Sequence, residues 1–172
     1  FSDPPFGIAG FYEGHHAEPE LPQNLYRIAP DSGELTIAME GIRGPNGLCF
    51  SPDGKILYVV ESRAQPNRLI LAWDVIDIQL KNKRVHIDCG NGTADGIACD
   101  TAGNLWCGWG MGSPELDGVR VFNPQGKAIG MIHLPERCAN LCFGSEQRNR
   151  LFMAASTSIY SLFVNAQGAI LV

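Results

Sequence analysis

Short apolar runs separated by polar turns make up most of the chain, and three of these stretches resemble one another. They span residues 45–62, 94–110 and 138–156. Each begins with a short apolar run, passes through a polar turn and resumes with a leucine followed by an aromatic residue, at Leu57-Tyr58, Leu105-Trp106 and Leu151-Phe152. No stretch sustains the apolar spacing of an amphipathic helix, so the pattern predicts pairs of β-strands.

Two further strands are predicted after each of these pairs. The turns at 51–54 and 101–104 contain the Pro, Asp, Asn and Gly residues that tight hairpins need. Equivalent positions in the three segments lie about 45 to 50 residues apart, which is typical of arrays with one propeller blade per repeat. Four strands per repeat predict an all-β fold built as a β-propeller. The additional strands are predicted at 68–75, 83–89, 118–122, 127–134, 158–164 and 168–172.

The same register predicts a partial blade at the beginning of the chain. Phe1–Asp3 aligns with Val59–Glu61 of the first repeat, and 23–28 and 34–39 follow as a third and a fourth strand. We therefore expect one partial propeller domain over 1–172, with about four blades. The partial blade covers 1–40, and the others cover about 41–90, 91–135 and 136–172. Because closed propellers contain four to eight complete blades, N-terminal blades are expected to be missing, unless another chain supplies them.

Composition excludes several classes of protein and partner. Hydrophobic residues make up 45% of the sequence and charged residues 18%, which is typical of a folded domain. The apolar runs are too short to span a bilayer. The net charge is −5 and the basic residues are scattered, so neither nucleic acid nor a membrane surface is expected as a partner. The oligomeric state is left open.

The six cysteines contain no Cys-x-x-Cys pair, which argues against a zinc knuckle or a redox motif. We expect them to be small buried residues in a reducing compartment. This favours a cytoplasmic location. A periplasmic or secreted location stays open, because an export signal could have preceded Phe1.

Two polar residues stand at equivalent places, where the first strand of a repeat begins. In a propeller blade this first strand is the inner strand, which lines the central channel. Asn46 and Asp95 each precede a glycine, and in a propeller these positions lie at one rim of the central channel. A carboxamide and a carboxylate provide the oxygen ligands that a hard divalent cation prefers. The alternative, that Asn-Gly and Asp-Gly only begin strands as turn dipeptides, is equally compatible with the spacing. In the third repeat Ala139 takes this place, and strand alternation predicts that the Asn140 side chain points away from the channel.

Several motifs in this order resemble the SMP-30/gluconolactonase/luciferin-regenerating-enzyme family. The resemblance extends essentially from end to end. The family's Phe-Thr-Asp-Pro-Pro-Tyr-Gly, Pro-Asn-Gly-Leu-x-Phe-Ser-Pro-Asp and Asp-Gly-x-x-x-Asp-x-x-Gly-x-Leu-Trp motifs match Phe1–Gly7, Pro45–Asp53 and Asp95–Trp106. Asn140–Gly144 and Leu151-Phe152 fit the family's last blade.

The resemblance implies a six-bladed propeller that hydrolyses a small sugar lactone. It implies one divalent cation at the channel mouth, usually Ca²⁺, with Mg²⁺, Zn²⁺ or Mn²⁺ as other candidates. Of the family's four protein ligands, two carry over to Asn46 and Asp95, and Asp95 is also the proposed general base. A Glu and an Asn would lie upstream of Phe1. A non-catalytic binding module and a strictosidine-synthase-like propeller are the alternatives.

The long loop between Asp3 and Gln23 contains three further candidates. Glu13, His15 and His16 could contact a substrate or carry protons if the loop covers the channel mouth. Adjacent histidines on an extended chain point in different directions, so joint metal binding is poorly supported. A solvated loop is the favoured interpretation. Arg120 and Arg137 could meet a sugar acid, but paired or solvated surface charges are favoured for them.

Overall fold

A computed structural model describes residues 1–11, 14–111 and 113–170. This part of the chain contains thirteen β-strands in four sheets and one short 3₁₀ helix, Pro114–Leu116. The all-β prediction is therefore confirmed. The strands are β1 Leu25–Ile28, β2 Leu35–Met39, β3 Pro45–Phe50, β4 Ile56–Glu61, β5 Leu69–Ile76, β6 Gln79–Asp88, β7 Thr93–Cys99, β8 Leu105–Gly110, β9 Gly118–Phe122, β10 Ala128–His133, β11 Cys138–Gly144, β12 Arg150–Ala155 and β13 Ile159–Phe163.

Each sheet is an antiparallel meander in which strands that follow one another in sequence lie side by side. Strands β3 to β6 form one four-stranded sheet and β7 to β10 form the next. Strands β11 to β13 form a three-stranded sheet, and β1 pairs with β2. The first strand of the middle sheet, β7, packs between β3 and β11. Successive meanders with neighbouring first strands are the arrangement of propeller blades.

The first and last residues extend these sheets in different ways. The Ser2 backbone bridges to Leu25, and the Phe1 ammonium group donates a 2.8 Å hydrogen bond to the Tyr26 carbonyl. The predicted fourth strand after β13 is not formed by the described residues. Gly168 instead bridges to Asp100, and the Ala169 amide donates to the Cys99 carbonyl at 3.0 Å. The segment therefore binds the end of β7, where backbone groups are available to it.

Apolar side chains fill the spaces between the sheets. Val60, Ile70 and Leu105 are fully buried in one cluster, and Val119 and Leu151 are fully buried in the next. Each such side chain contributes about 1.5–3 kcal/mol through its removal from water. The packing fixes the sheets against each other and so fixes the relative positions of their strand ends.

The hairpin between β7 and β8 is built around one buried carboxylate. Asp100 Oδ1 accepts hydrogen bonds from the backbone amides of Ala102 at 3.0 Å and Asn104 at 2.9 Å. Its Oδ2 accepts from Asn104 Nδ2 at 2.8 Å and Trp106 Nε1 at 2.9 Å. Gly103 adopts a φ of 81° within the turn, a conformation that glycine reaches without strain. The Asp-x-x-Gly-x-Leu-Trp spacing is thus explained by a turn that its own side chains close.

The cysteines are free thiols, as expected, but their burial is uneven. Cys89, Cys99, Cys107 and Cys138 are buried, whereas Cys49 is half-buried and Cys142 is exposed, contrary to the prediction for that residue. Burial raises the pKa of Cys89 and Cys138 to about 11. Such thiols stay protonated near neutral pH and pack as small apolar groups.

No helix within the described ranges is long and apolar enough to cross a bilayer.

Candidate active site

The first strands of three sheets, β3, β7 and β11, each have an irregular register near their beginning. In β3 the pairing passes from Pro45–Glu61 to Leu48–Val59, so Asn46 and Gly47 lie opposite a single residue of β4. In β7 it passes from Ala94–Trp109 to Ile97–Cys107, with the same effect on Asp95 and Gly96. A β-bulge bends a strand and redirects its side chains. The bulges therefore aim Asn46 and Asp95 out of the regular alternation.

Asn46 and Asp95 meet across the boundary between two sheets. Asn46 Nδ2 donates a 2.8 Å hydrogen bond to Asp95 Oδ1 and a longer one, 3.2 Å, to Ser62 Oγ. A Cβ on Gly47 would collide with the Asp95 carbonyl oxygen, so only glycine allows this approach. The two residues are thus brought together by the backbone contact of β3 and β7.

Arg137 also contacts Asp95. It immediately precedes β11, and its carbonyl accepts a hydrogen bond from the Ser156 amide at 3.1 Å. Its Nη2 lies 2.7 Å from Asp95 Oδ2, and the two side chains are 39% and 20% exposed. Its Nε is buried without a hydrogen-bond partner among the described residues. The site therefore holds a carboxylate, a carboxamide and a guanidinium group from three successive sheets.

Asn140 lies beside Asn46 and Asp95 and lines the same depression. The prediction that its side chain points away from the channel is therefore wrong. Its Oδ1 accepts a hydrogen bond from the Leu141 amide at 2.8 Å, and a Cβ on Gly96 would collide with that oxygen. The register of β11 shifts between Cys138 and Asn140. The extra residue, Ala139, reverses the alternation on which the prediction depended.

Asn46, Asp95 and Asn140 line an open depression of about 380 Å³. It lies where the inner strands begin, at the opposite end of β7 from the Asp100 hairpin. Its lining residues are Phe1, Ser2, Asn46, Gly47, Leu48, Asp95, Gly96 and Asn140. Partly exposed polar groups that line an open depression can contact a small polar molecule and water.

The chemistry of the donors fits a hard divalent cation. Asn46 and Asp95 both carry side-chain oxygens, their side chains lie within hydrogen-bond distance, and the depression leaves room for water and further oxygen ligands. No group of three or more His, Cys, Asp or Glu side chains that could hold a metal occurs among the described residues. Any site here would therefore combine one carboxylate with carboxamide oxygen and other ligands.

The neighbouring cysteine is unsuited to nucleophilic catalysis. Burial, with a smaller contribution from the negative charge of Asp95, raises the pKa of Cys138 to about 11. Its thiol donates a 3.3 Å hydrogen bond to the Asn140 carbonyl. A thiol that stays protonated is a poor nucleophile, so Cys138 packs rather than reacts.

The loop candidates do not join this cluster in the described residues. His15 and His16 are exposed, and the His16 ring lies 6.3 Å from that of Phe11. Neither histidine lines the depression. Glu13 lies outside the described residues. A substrate-binding role for the three stays a prediction.

Sequence reasoning missed two serines and the role of one arginine. Ser62 accepts the second hydrogen bond of Asn46, and Ser2 Oγ donates to the Asn46 carbonyl at 2.8 Å. Ser62 lies at the end of a recognisable repeat, but its type gives no signal of this contact. The sequence favours a paired or solvated surface position for Arg137 without indicating its partner, and the structure pairs it with Asp95.

Comparison with known proteins relates the chain to lactone-hydrolysing enzymes. A family model described as the SMP-30/Gluconolactonase/LRE-like region matches residues 6–157. A gluconolactonase from Zymomonas mobilis is 33% identical over 169 residues, which cover 92% of this chain and 45% of that protein. The structure of a gluconolactonase from Xanthomonas campestris is 34% identical with a TM-score of 0.81, covering 95% of this chain and 52% of the other.

A more distant structure shares the fold. Regucalcin from Agrobacterium tumefaciens, described as a calcium-binding protein, has a TM-score of 0.68 at 21% identity and covers 84% of this chain and 52% of the other. The chain thus spans about half the length of the relatives that it matches.

Proposed function

The chain belongs to the SMP-30/gluconolactonase/LRE-like family, and from this we propose that it carries part of the active site of a divalent-cation-dependent hydrolase of small sugar lactones. The observation that carries the proposal is the 2.8 Å contact between Asn46 and Asp95, both of which line an open depression. The family-model match over residues 6–157 includes both residues. A gluconolactone is the substrate class that the relatives' names support.

Asn46 and Asp95 would hold the cation through their side-chain oxygens. Ca²⁺ suits such ligands best, and a calcium-binding relative supports that choice over Mg²⁺, Zn²⁺ or Mn²⁺. When bound, a divalent cation polarises a lactone carbonyl and makes a bound water more acidic. Asn46 now directs its Nδ2 at Asp95, so its amide must turn to present oxygen.

Asp95 has the position required of a general base. Its carboxylate lines the depression and is partly exposed, so water can reach it. Lactone hydrolysis needs a group that accepts the proton of the attacking water, and a carboxylate within hydrogen-bond distance does this. The close backbone approach at Gly47 limits the freedom of Asp95 and so helps to hold the carboxylate in place. Serine-hydrolase chemistry is disfavoured because the sequence has no Gly-x-Ser-x-Gly motif.

We further propose a six-bladed propeller for the complete fold. Residues 1–40 would form part of one blade, and 41–90, 91–135 and 136–172 would form three others. The number six comes from the family resemblance, and the matched span covers only about half of the relatives' length, which leaves room for further blades. A Glu and an Asn outside this chain would then complete the cation site.

Hydrolysis of a gluconolactone by the complete protein tests the proposal. With Ca²⁺ present, Asp95→Asn is expected to lose at least a hundredfold in kcat, since a positioned base typically contributes 10²–10⁴-fold. Asn46→Ala is expected chiefly to weaken Ca²⁺ binding measured by calorimetry. Asp53→Asn is the matched control, because Asp53 serves an exposed turn and contacts Ser51 and Lys55.

Two results would contradict the assignment. Near-normal turnover by Asp95→Asn, with its circular dichroism unchanged, would remove Asp95 from the mechanism. An unchanged cation affinity in Asn46→Ala would remove Asn46 from the ligand set.

A further inference from the structure

The carboxylate proposed to bind a cation already has a positive partner. Arg137 Nη2 lies 2.7 Å from Asp95 Oδ2, while Asn46 Nδ2 donates to Oδ1. Both carboxylate oxygens therefore face donors, one of them charged. A cation approaching Asp95 would meet the guanidinium group, and two positive charges at one carboxylate repel each other.

The contact between Arg137 and Asp95 is made by one arm of the guanidinium group. A two-pronged arginine–carboxylate pair would use two parallel N–H groups. Here Nη2 donates to Asp95, whereas Nε is buried without a partner in the described part of the chain. The pair is also partly exposed, and partly exposed ion pairs contribute little stability and are readily exchanged.

A second carboxylate lies beside the same arginine. The position that a Cβ on Gly110 would occupy is 2.6 Å from Arg137 Cγ and 2.7 Å from Asp117 Oδ1. The aliphatic part of the Arg137 side chain and the Asp117 carboxylate therefore lie close to each other beside Gly110. Asp117, which lies this close to the Arg137 side chain, is an alternative carboxylate partner for its guanidinium group.

We propose that Arg137 is a positioning residue that pairs with Asp95 in the cation-free protein and moves towards Asp117 when a divalent cation binds. Cation and guanidinium group then exclude each other at Asp95. The exchange keeps the carboxylate oriented before the cation arrives and sets the affinity below that of an unopposed site. This inference rests on the proposed function, since it concerns the same carboxylate.

Calorimetric titration of the complete protein with CaCl₂ at low ionic strength tests the exchange. Arg137→Gln removes the competing charge and is expected to bind Ca²⁺ about fivefold more tightly than the unaltered protein, the scale of a partly exposed ion pair. Arg137→Lys keeps the charge and should bind close to the original affinity. Arg84→Gln is the control, because it removes a comparable 2.8 Å pair with Asp74 on the outer strands and should change nothing. Equal or weaker binding by Arg137→Gln would overturn the proposal.

Thermal unfolding gives a readout that does not depend on catalysis. In EDTA, the Tm losses of Arg137→Gln and Asp95→Asn should be less than additive in the double variant, because both remove the same pair. In saturating CaCl₂, non-additivity should instead arise between Arg137→Gln and Asp117→Asn. If the Tm losses are additive for both pairs of variants, the exchange is contradicted, even if Arg137→Gln binds Ca²⁺ more tightly.

The outcomes separate this inference from the proposed function. Ca²⁺ binding and lactone hydrolysis by the unaltered protein, with no gain in Arg137→Gln, would refute the exchange alone. Ca²⁺ binding with the fivefold gain, but without hydrolysis, would refute the lactonase assignment alone. Absence of Ca²⁺ binding in the unaltered protein would refute both.

Discussion

Asp100→Asn should strongly destabilise the protein although it changes a single atom. Asp100 is 2% exposed, and each of its carboxylate oxygens accepts two hydrogen bonds. An asparagine can keep its oxygen towards the two backbone amides. Its NH₂ group must then face Asn104 Nδ2 and Trp106 Nε1, which are themselves donors.

The magnitude follows from the bonds that are lost. Two hydrogen bonds to a charged acceptor contribute about 1.5 kcal/mol each, so the free energy of unfolding should fall by about 3 kcal/mol. For a chain of this size that corresponds to a decrease of about 6–12 °C in Tm.

Urea unfolding at pH 7, followed by tryptophan fluorescence and far-ultraviolet circular dichroism, measures this loss. Trp106→Phe removes the indole N–H donor together with part of a buried ring, so its own cost includes lost packing. The further cost of Asp100→Asn should be smaller in the double variant than alone, because one of the lost hydrogen bonds is already absent. The reasoning is wrong if Asp100→Asn unfolds within about 0.5 kcal/mol of the unaltered protein, the range of ordinary surface substitutions.

Two further predictions concern other parts of the fold. Gly47→Ala should cost about 1–3 kcal/mol in urea unfolding, because its Cβ would collide with backbone; Gly10→Ala, which has open space around it, is the control, and equal stability of the two variants would contradict the close approach. Burial, and then the nearby Arg84 charge, lower the pKa of His86 in the folded protein, so the unfolded chain takes up more protons and stability should fall as the pH drops below about 6.5. In Tm measurements from pH 7.5 to 5, His86→Gln should lose less stability on acidification, and an identical pH dependence would contradict the assignment.

The arrangement of strands was largely predictable because it depends on short-range pattern. The Leu-aromatic openings, such as Leu57-Tyr58, identify the second strand of each pair, and the Ser51–Gly54 turn identifies its hairpin. The meeting of Asn46 with Asp95 followed from their equivalent positions in neighbouring repeats. Repetition supplies the long-range information that a single sequence otherwise lacks.

The remaining details depend on displacements of one residue or on contacts between repeats. The extra residue at Ala139 reverses the direction of Asn140, and nothing in the local sequence indicates where a bulge falls. The pairing of Arg137 with Asp95 joins elements about forty residues apart, and it depends on the space left by Gly110. Likewise, residues near Gly168 bind the end of β7 rather than extending their own sheet, a choice made by tertiary contacts.

Two aspartates with different environments lie near the two ends of strand β7, Asp95 close to its beginning and Asp100 directly after its last residue. Asp95 lies partly open to water beside the depression, whereas Asp100 is enclosed by its own hairpin. Five residues of extended chain place them about 17 Å apart. The effect of a substitution in this region should therefore depend on its position. Substitutions near Asp95 should reduce activity while the protein still folds, whereas substitutions near Asp100 should reduce the amount of folded protein.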